Sequence, residues 1–245
     1  MHLIYSISLI NYKAGVKMKA IITGGNRGIG FEISKKLLSK GFEVHVLSRS
    51  GVSAAMDGLT SWTADVSDYE QALQIVEKIG TPDVFINNAG MMNAKTASDY
   101  DSEAILHTLN MNLISAVRLS VHVAERMAGK GGGRIVSMGS IAGEIGHPDI
   151  WYGVSKAGLM NAMRSLARTY GARGVIANSV APGPVETDMM KNIPQDRKDR
   201  LKAATISQRF CLAEEVAETV SWLATDAPAF INGDVIDMNN GTNYR

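Results

Sequence analysis

One cysteine, Cys211, among 245 residues rules out an intrachain disulfide and makes a reducing, cytoplasmic compartment the default expectation. No histidine or acidic partner accompanies Cys211 in a recognisable motif, so it reads as a structural thiol and not a nucleophile. Excess charge is also lacking: 25 Lys and Arg stand against 24 Asp and Glu, a net charge of +1. With no acidic or basic tail, nucleic acid and membrane surfaces are not expected as partners. Residues 1–10 are apolar but fall short of the ~20 residues that a bilayer-spanning helix needs. They also lack the basic n-region and small-residue cleavage site of a signal peptide. Internal repeats and low-complexity tracts are absent, and no metal is expected. No Gly-Lys-Ser/Thr follows the glycine-rich turn near the start, which excludes a P-loop.

What the chain does have is an alternation of apolar runs and amphipathic stretches in a βαβ rhythm. Strands are expected at 19–23, 43–47, 61–64, 83–87, 133–138, 175–180 and 235–237, and helices at 29–39, 67–78, 102–128, 151–170 and 213–225. Near-continuous apolar strands such as Ala20-Ile21-Ile22 and Val84-Phe85-Ile86 suit a parallel sheet covered on both faces. The expected fold is therefore α/β: a single-domain Rossmann fold with a doubly wound, seven-stranded parallel sheet and helices on both faces. Ligands are expected at the carboxyl ends of the strands. That domain should run from 18 to 245, with residues 1–17 as an extension outside the core, either an upstream start or a surface flap. Only 15 residues separate Arg49 from Asp65, so the second crossover helix is expected to be very short.

Three local patterns carry chemistry. Thr23-Gly24-Gly25-Asn26-Arg27-Gly28-Ile29-Gly30 follows a strand and opens a helix. Gly24 permits the sharp turn, Gly28 and Gly30 allow close approach to a pyrophosphate, and free N–H groups at the helix start face the anion. The second strand ends Leu47-Ser48-Arg49, where NAD-preferring sites place Asp or Glu. Arg49, with Arg27 in the turn, is suited to a 2′-phosphate through charge-assisted hydrogen bonds, so NADP(H) is expected over NAD(H). Finally, Tyr152 and Lys156 lie one helical turn apart, with Ser140 twelve residues upstream. A neighbouring ammonium favours the phenolate and is expected to draw the tyrosine pKa toward the working range.

Taken together and in order, these motifs resemble the short-chain dehydrogenase/reductase family from about Met18 to Gly241. The series is Thr23-Gly24-x-x-x-Gly28-x-Gly30, Asp65, Asn87-Asn88-Ala89-Gly90, Asn112, Ser140, Tyr152-x-x-x-Lys156 and Pro182-Gly183-x-Val185-x-Thr187. The resemblance implies a role for each position. Asp65 and Val66 would contact the adenine, and Asn88, Ala89 and Gly90 would line its ribose. Tyr152 would exchange a proton with the substrate oxygen and Ser140 would orient that oxygen. Lys156 would hold the nicotinamide ribose, and Asn112 would anchor a water relay through Lys156. Pro182, Gly183, Val185 and Thr187 would bind the nicotinamide end, while Asn26 and Ile29 belong to the phosphate turn and Ser48 accompanies Arg49. Hydride arriving at a carbonyl carbon builds negative charge on oxygen, which two hydroxyl donors would stabilise.

The general pattern is closest to 3-oxoacyl-[acyl-carrier-protein] reductases, which implies a ketone, an alcohol or an acyl thioester as substrate. An acyl carrier protein is a further implied partner. Arg173 stands where such enzymes carry a docking arginine, but Gly131, beside Lys130, fills the other position. Carbonyl or sugar-ketone reductases of the same family are the alternative, and a nucleotide sensor without turnover is a reading of a different class. His147 reads equally as a substrate contact or a loop residue. The substrate loop is expected at about 184–210, and its 188–194 stretch reads as a methionine lid or as an amphipathic helix packed on the body. Trp151 is expected at the pocket or a subunit contact. In the family the helices at 102–128 and 151–170 pair across two-fold axes, implying a homotetramer. Ile105, Leu109, Leu113, Val117, Leu159, Met163 and Leu166 are its candidate contacts, with burial inside one subunit as the alternative.

Overall fold

The computed structural model describes residues 17–244 apart from 53–54, 94, 96 and 191–192; the expected extension lies outside the described residues except for Lys17. Its framework is a seven-stranded sheet in the order β3-β2-β1-β4-β5-β6-β7, parallel at every pairing. The elements run β1 (Lys19–Thr23), α1 (Gly28–Ser39), β2 (Glu43–Ser48), β3 (Leu59–Thr63), α2 (Tyr69–Ile79) and β4 (Val84–Asn87) in the first half. The second half holds α3 (Ser102–Leu109), α4 (Ser115–Gly129), β5 (Gly133–Met138), α5 (Ala142–Ile145), α6 (Ile150–Tyr170), β6 (Val175–Pro182), α7 (Gln195–Ala203), α8 (Ala213–Ala224) and β7 (Val235–Met238).

Strand periodicity sends alternate residues of each apolar run to opposite faces. Ala20 and Ile22 of β1 join Val44, Val46, Val84, Ile86, Val136 and Val180 in one core, closed by Ile33 and Leu37 of α1 and Val216, Val220 and Leu223 of α8. Ile21, Phe85, Ile135 and Ala177 face the other way, against Ile75 and Val76 of α2, Leu119, Val123 and Met127 of α4, and Leu159, Met163 and Leu166 of α6. Each such large side chain taken fully from water contributes roughly 1.5–3 kcal/mol, and buried hydrogen bonds from Arg134 to the Leu223 and Ala227 carbonyls and from Asn87 to Ser120 add polar ties between sheet and helices. β1 pairs with β2 on one side and β4 on the other. The chain reverses its direction of winding there, and the crevice beyond Thr23 and Asn87 is where such folds bind ligands.

Several expectations are corrected. Among the described residues no helix follows β2 (the crossover to β3 is irregular chain) and a left-handed Gly58 (φ +79°) leads into the strand. The described residues of this crossover form bends and a turn in place of the short helix. Edge strand β3 starts two residues earlier than expected, and α2 starts later because the Asp68 side chain caps it, accepting the Gln71 N–H at 3.1 Å. The single helix expected at 102–128 is α3 and α4 joined through a widened π-turn, Asn110–Ile114. Leu159, Met163 and Leu166 are core residues of the subunit itself, not subunit contacts. Short helices α5 and α7 carry too little apolar periodicity to be read in advance.

Candidate active site

The crevice is shaped first by glycine. Gly24 adopts φ +66°, and a side chain there would press on the Ala89 backbone at about 3.0 Å. A side chain at Gly30 would overlap the Gly24 carbonyl and Asn88. Asn88 fastens the turn by donating its amide to the carbonyls of Thr23 (3.1 Å) and Gly24 (2.9 Å). The Thr23 hydroxyl in turn accepts the N–H groups of Asn88 and Ala89, both at 3.1 Å. The first turn of α1, which contains Ile29, has no side-chain cap and no acidic residue. Its free N–H groups and partial positive charge are open to an anion.

Beside the turn, Asn26 donates to the Ser50 carbonyl (3.1 Å) and hydroxyl (2.9 Å), while the Ser48 hydroxyl donates to the same carbonyl at 2.5 Å. These bonds hold the Arg49 segment against the turn, with Arg27 and Arg49 both exposed. Asp65 lies close by. Burial pushes its carboxyl up, but hydrogen bonds from Ser67 and the charges of Arg49 and His107 outweigh that and leave it below the ordinary range; Val66 next to it is buried. At the far side β6 ends in Pro182, the Gly183 N–H donates to the Met238 carbonyl at 3.0 Å, and Val185 forms a bridge with Cys211. Thr187 comes close enough that a side chain on Gly28 would touch its methyl at 3.7 Å.

At the carboxyl end of β5 the structure brings Ser140, Tyr152, Lys156 and Asn112 together. Tyr152, in the first turn of α6, stands beside the Ser140 hydroxyl, whose influence favours the phenolate, while Ser140 Oγ accepts the Ala142 N–H at 3.1 Å. Lys156 is buried and donates to the Met138 carbonyl at 2.8 Å, its ammonium 5.8 Å from the centre of the Tyr152 ring. Asn112 projects from the π-turn, accepting the Met91 N–H and donating to the Met91 carbonyl, both at 2.8 Å, and reaching the Ser155 hydroxyl at 3.2 Å. Gly90 is the floor between them: a side chain there would meet Lys156 Nζ at 3.3 Å and Asn112 Oδ1 at 3.4 Å.

The electrostatics correct one expectation. In the chain by itself Tyr152 is not drawn toward neutrality; burial pushes the phenol up, the Ser140 hydrogen bond opposes this, and the charge of Asp149 adds to it. Burial lowers Lys156 to about 8, because an ammonium out of water loses hydration. His147 packs its edge on the Tyr152 ring at 5.5 Å, and burial lowers its pKa. Of the expected loop, residues 188–190 form a 3-10 turn followed by α7. Met190, Lys198, Lys202 and Phe210 line a groove of about 460 Å³ that reaches Gly28 and Thr187. Asp149, Asn93 and Tyr100 were not foreseen. Their one sequence signal was Asp149 three residues before Tyr152, the spacing of an N-cap.

A family model described as enoyl-(acyl carrier protein) reductase matches residues 24–243. The 3-oxoacyl-[acyl-carrier-protein] reductase FabG of Escherichia coli is 34% identical over 233 residues, 91% of this chain and 96% of that protein. MabA of Mycobacterium avium, named for the same activity, is 33% identical over 93% of this chain and 91% of its own length. A solved structure described as a beta-ketoacyl-ACP reductase superposes with a TM-score of 0.84 at 29% identity, covering 91% of this chain and 97% of that one. Another, described as a short-chain alcohol dehydrogenase of Sinorhizobium meliloti, also gives 0.84, at 27% identity over 93% of this chain and 97% of its own.

The depressed lysine makes stability depend on pH in a definite sense. Below about 8 both folded and unfolded chains carry the charge, and the fold bears the full desolvation cost. Between there and 10.5 the unfolded chain binds more protons, so stability rises with pH. Lys156→Met is therefore expected to exceed wild type in stability at pH 7 by about 1–3 kcal/mol, with the gap closing toward pH 10.5. Urea midpoints across that range check it; a gap independent of pH would contradict the assignment.

Proposed function

The chain belongs to the short-chain dehydrogenase/reductase family and is an oxidoreductase, and we propose that it uses NADP(H) to interconvert a ketone, foremost a 3-oxoacyl thioester, and a secondary alcohol. The observation that carries this reading is the Ser140–Tyr152 hydroxyl pair backed by buried Lys156 next to a crevice whose glycines exclude side chains. The crevice suits a dinucleotide. Gly24 to Gly30 and the uncapped start of α1 would hold the pyrophosphate, Asp65 and Val66 the adenine, and Asn88 to Gly90 its ribose. Pro182 to Thr187 would hold the nicotinamide, with Tyr152 and Lys156 at its ribose. When bound, the cofactor supplies the hydride, and the protein contributes placement and charge.

Tyr152 Oη donates the proton to the substrate oxygen in reduction and takes it back in oxidation. A phenol pushed up by burial stays protonated at neutral pH and so is ready as the acid that reduction needs. Ser140 supplies a second hydroxyl to the same oxygen, where negative charge develops. Arg49 and Arg27 favour the 2′-phosphate of NADP(H), since a guanidinium matches phosphate in charge and geometry. For a carrier protein the support is thinner. Arg173 is already in a 2.9 Å pair with Glu125, and Lys130 is paired with Asp83, so a free thioester is the first substrate to assay. The oligomer proposed is a homotetramer through α3, α4, the π-turn between them and α6, where Leu106, Ile114, Val121 and Val154 are 41–58% exposed. Unpartnered apolar side chains grouped along packed helices favour a subunit contact.

Three outcomes test this. With a panel of ketones and a 3-oxoacyl thioester, NADPH oxidation is expected, and Tyr152→Phe should lower kcat about 10²- to 10⁴-fold with NADPH affinity nearly unchanged. Binding without oxidation by wild type across the panel would instead favour a sensor. Arg49→Asp should move the ratio of kcat/KM for the two cofactors toward NADH, and an unmoved ratio would remove the 2′-phosphate argument. Light scattering after size exclusion should give four times the 26.3 kDa chain, and a monomer would sink the assembly.

A further inference from the structure

We propose that Asp149 is a positioning residue for Tyr152: its buried carboxylate clamps Asn93 and Tyr100 to the first turn of α6, fixing where the phenol stands beside Ser140. The proposal rests on the acid–base reading of Tyr152 given above.

Asp149 is 1% exposed. Its Oδ1 accepts the Tyr100 hydroxyl at 2.6 Å and the Tyr152 N–H at 3.1 Å, and its Oδ2 accepts the Asn93 N–H at 3.1 Å. An N-cap requires only the contact to Tyr152 N–H. The caps of α2 and α3 make the comparison: Asp68 and Asp101 fulfil that task while exposed to solvent. Burying a carboxylate is costly unless its oxygens are satisfied, and here two of the three bonds named come from a different part of the chain. That partner segment is itself fixed. The Asn93 side chain donates to Thr108 at 2.8 Å, and Asn112 grips Met91 on both its N–H and its carbonyl. Asp149 thus joins the wall that follows Gly90 to the helix that carries the phenol.

The same carboxylate acts on the phenol through space. The groups facing Tyr152 are Ser140, whose hydrogen bond favours the phenolate, and Asp149, whose charge disfavours it. Lys156 lies one turn on, and His147 against the ring edge is lowered by burial and by Arg197. Removing the Asp149 charge therefore lowers the phenol pKa.

Asp149→Asn separates a clamp from a cap. Asparagine caps helices as well as aspartate does, but it brings no charge and sets an N–H₂ group against the Asn93 N–H. Two readouts are taken on Asp149→Asn, Tyr100→Phe and Tyr152→Phe. The first is kcat and KM for NADPH oxidation with the best ketone of the panel, against pH. The second needs no substrate: the titration of the Tyr152 resonance in ¹³C-tyrosine-labelled protein, assigned by its loss in Tyr152→Phe. Asp149→Asn should lower kcat about tenfold or more and move the Tyr152 midpoint, and with it the alkaline limb of reduction, to lower pH. Tyr100→Phe, which leaves the cap and the charge in place, should lower kcat several-fold with the midpoint nearly unchanged. Wild-type kcat and an unmoved midpoint in Asp149→Asn would overturn the proposal even with Tyr152→Phe inactive. An active Tyr152→Phe would instead remove the acid–base reading beneath it.

Discussion

The site is organised around a lysine ammonium held inside the protein. Lys156 is 4% exposed and spends its charge on the Met138 carbonyl, a poor exchange for water unless the surroundings are fixed around it. That requirement reaches outward in several directions. β5 must end where its last carbonyl faces α6, Gly90 must offer no side chain, and Asn112 must leave regular helical geometry to reach the Met91 backbone. The sheet order enters here too, because β4 and β5 are neighbours and deliver Gly90 and Met138 to the two sides of one amine. A buried cation thus links strand register, a helical irregularity and a glycine.

Much of this was legible beforehand, for physical reasons. Strands buried on both faces have continuous apolar runs, so β1, β4 and β5 were readable, while β3, at the edge and mostly exposed, was misplaced by two residues. The glycine turn was readable because only glycine satisfies both the left-handed backbone at Gly24 and the contact at Gly30. The π-turn was not, since one extra residue in a helical turn leaves an ordinary-looking helical pattern. Leu159, Met163 and Leu166 were offered as subunit contacts because apolar periodicity cannot say which of two neighbours a face meets. Asp149 went unread for the opposite reason: a cap residue is common, and only three dimensions show Asn93 and Tyr100 arriving at its other side.

Charge explains why the phenol and the amine behave differently from a pair in water. Burial acts on both, raising the tyrosine and lowering the lysine, so each is displaced toward its neutral form. The familiar argument that an ammonium acidifies a nearby phenol considers the pair alone and omits the medium. In this protein the medium is the strongest influence on the phenol, Ser140 opposes it, and the charge of Asp149 adds a smaller push upward.

The widened turn at Asn110–Ile114 has a genetic corollary. Successive residues of an α-helix are offset by about 100°, so deleting any one residue in this stretch would let the strand of hydrogen bonds heal into a regular, locally more comfortable helix. The repair would leave α3 and α4 facing much as they do, since the wide turn absorbs just one extra residue, but it would draw Asn112 away from the Met91 backbone that it grips on both sides. A one-codon deletion there would thus keep the packed faces of both helices and cost the site its Asn112 contact.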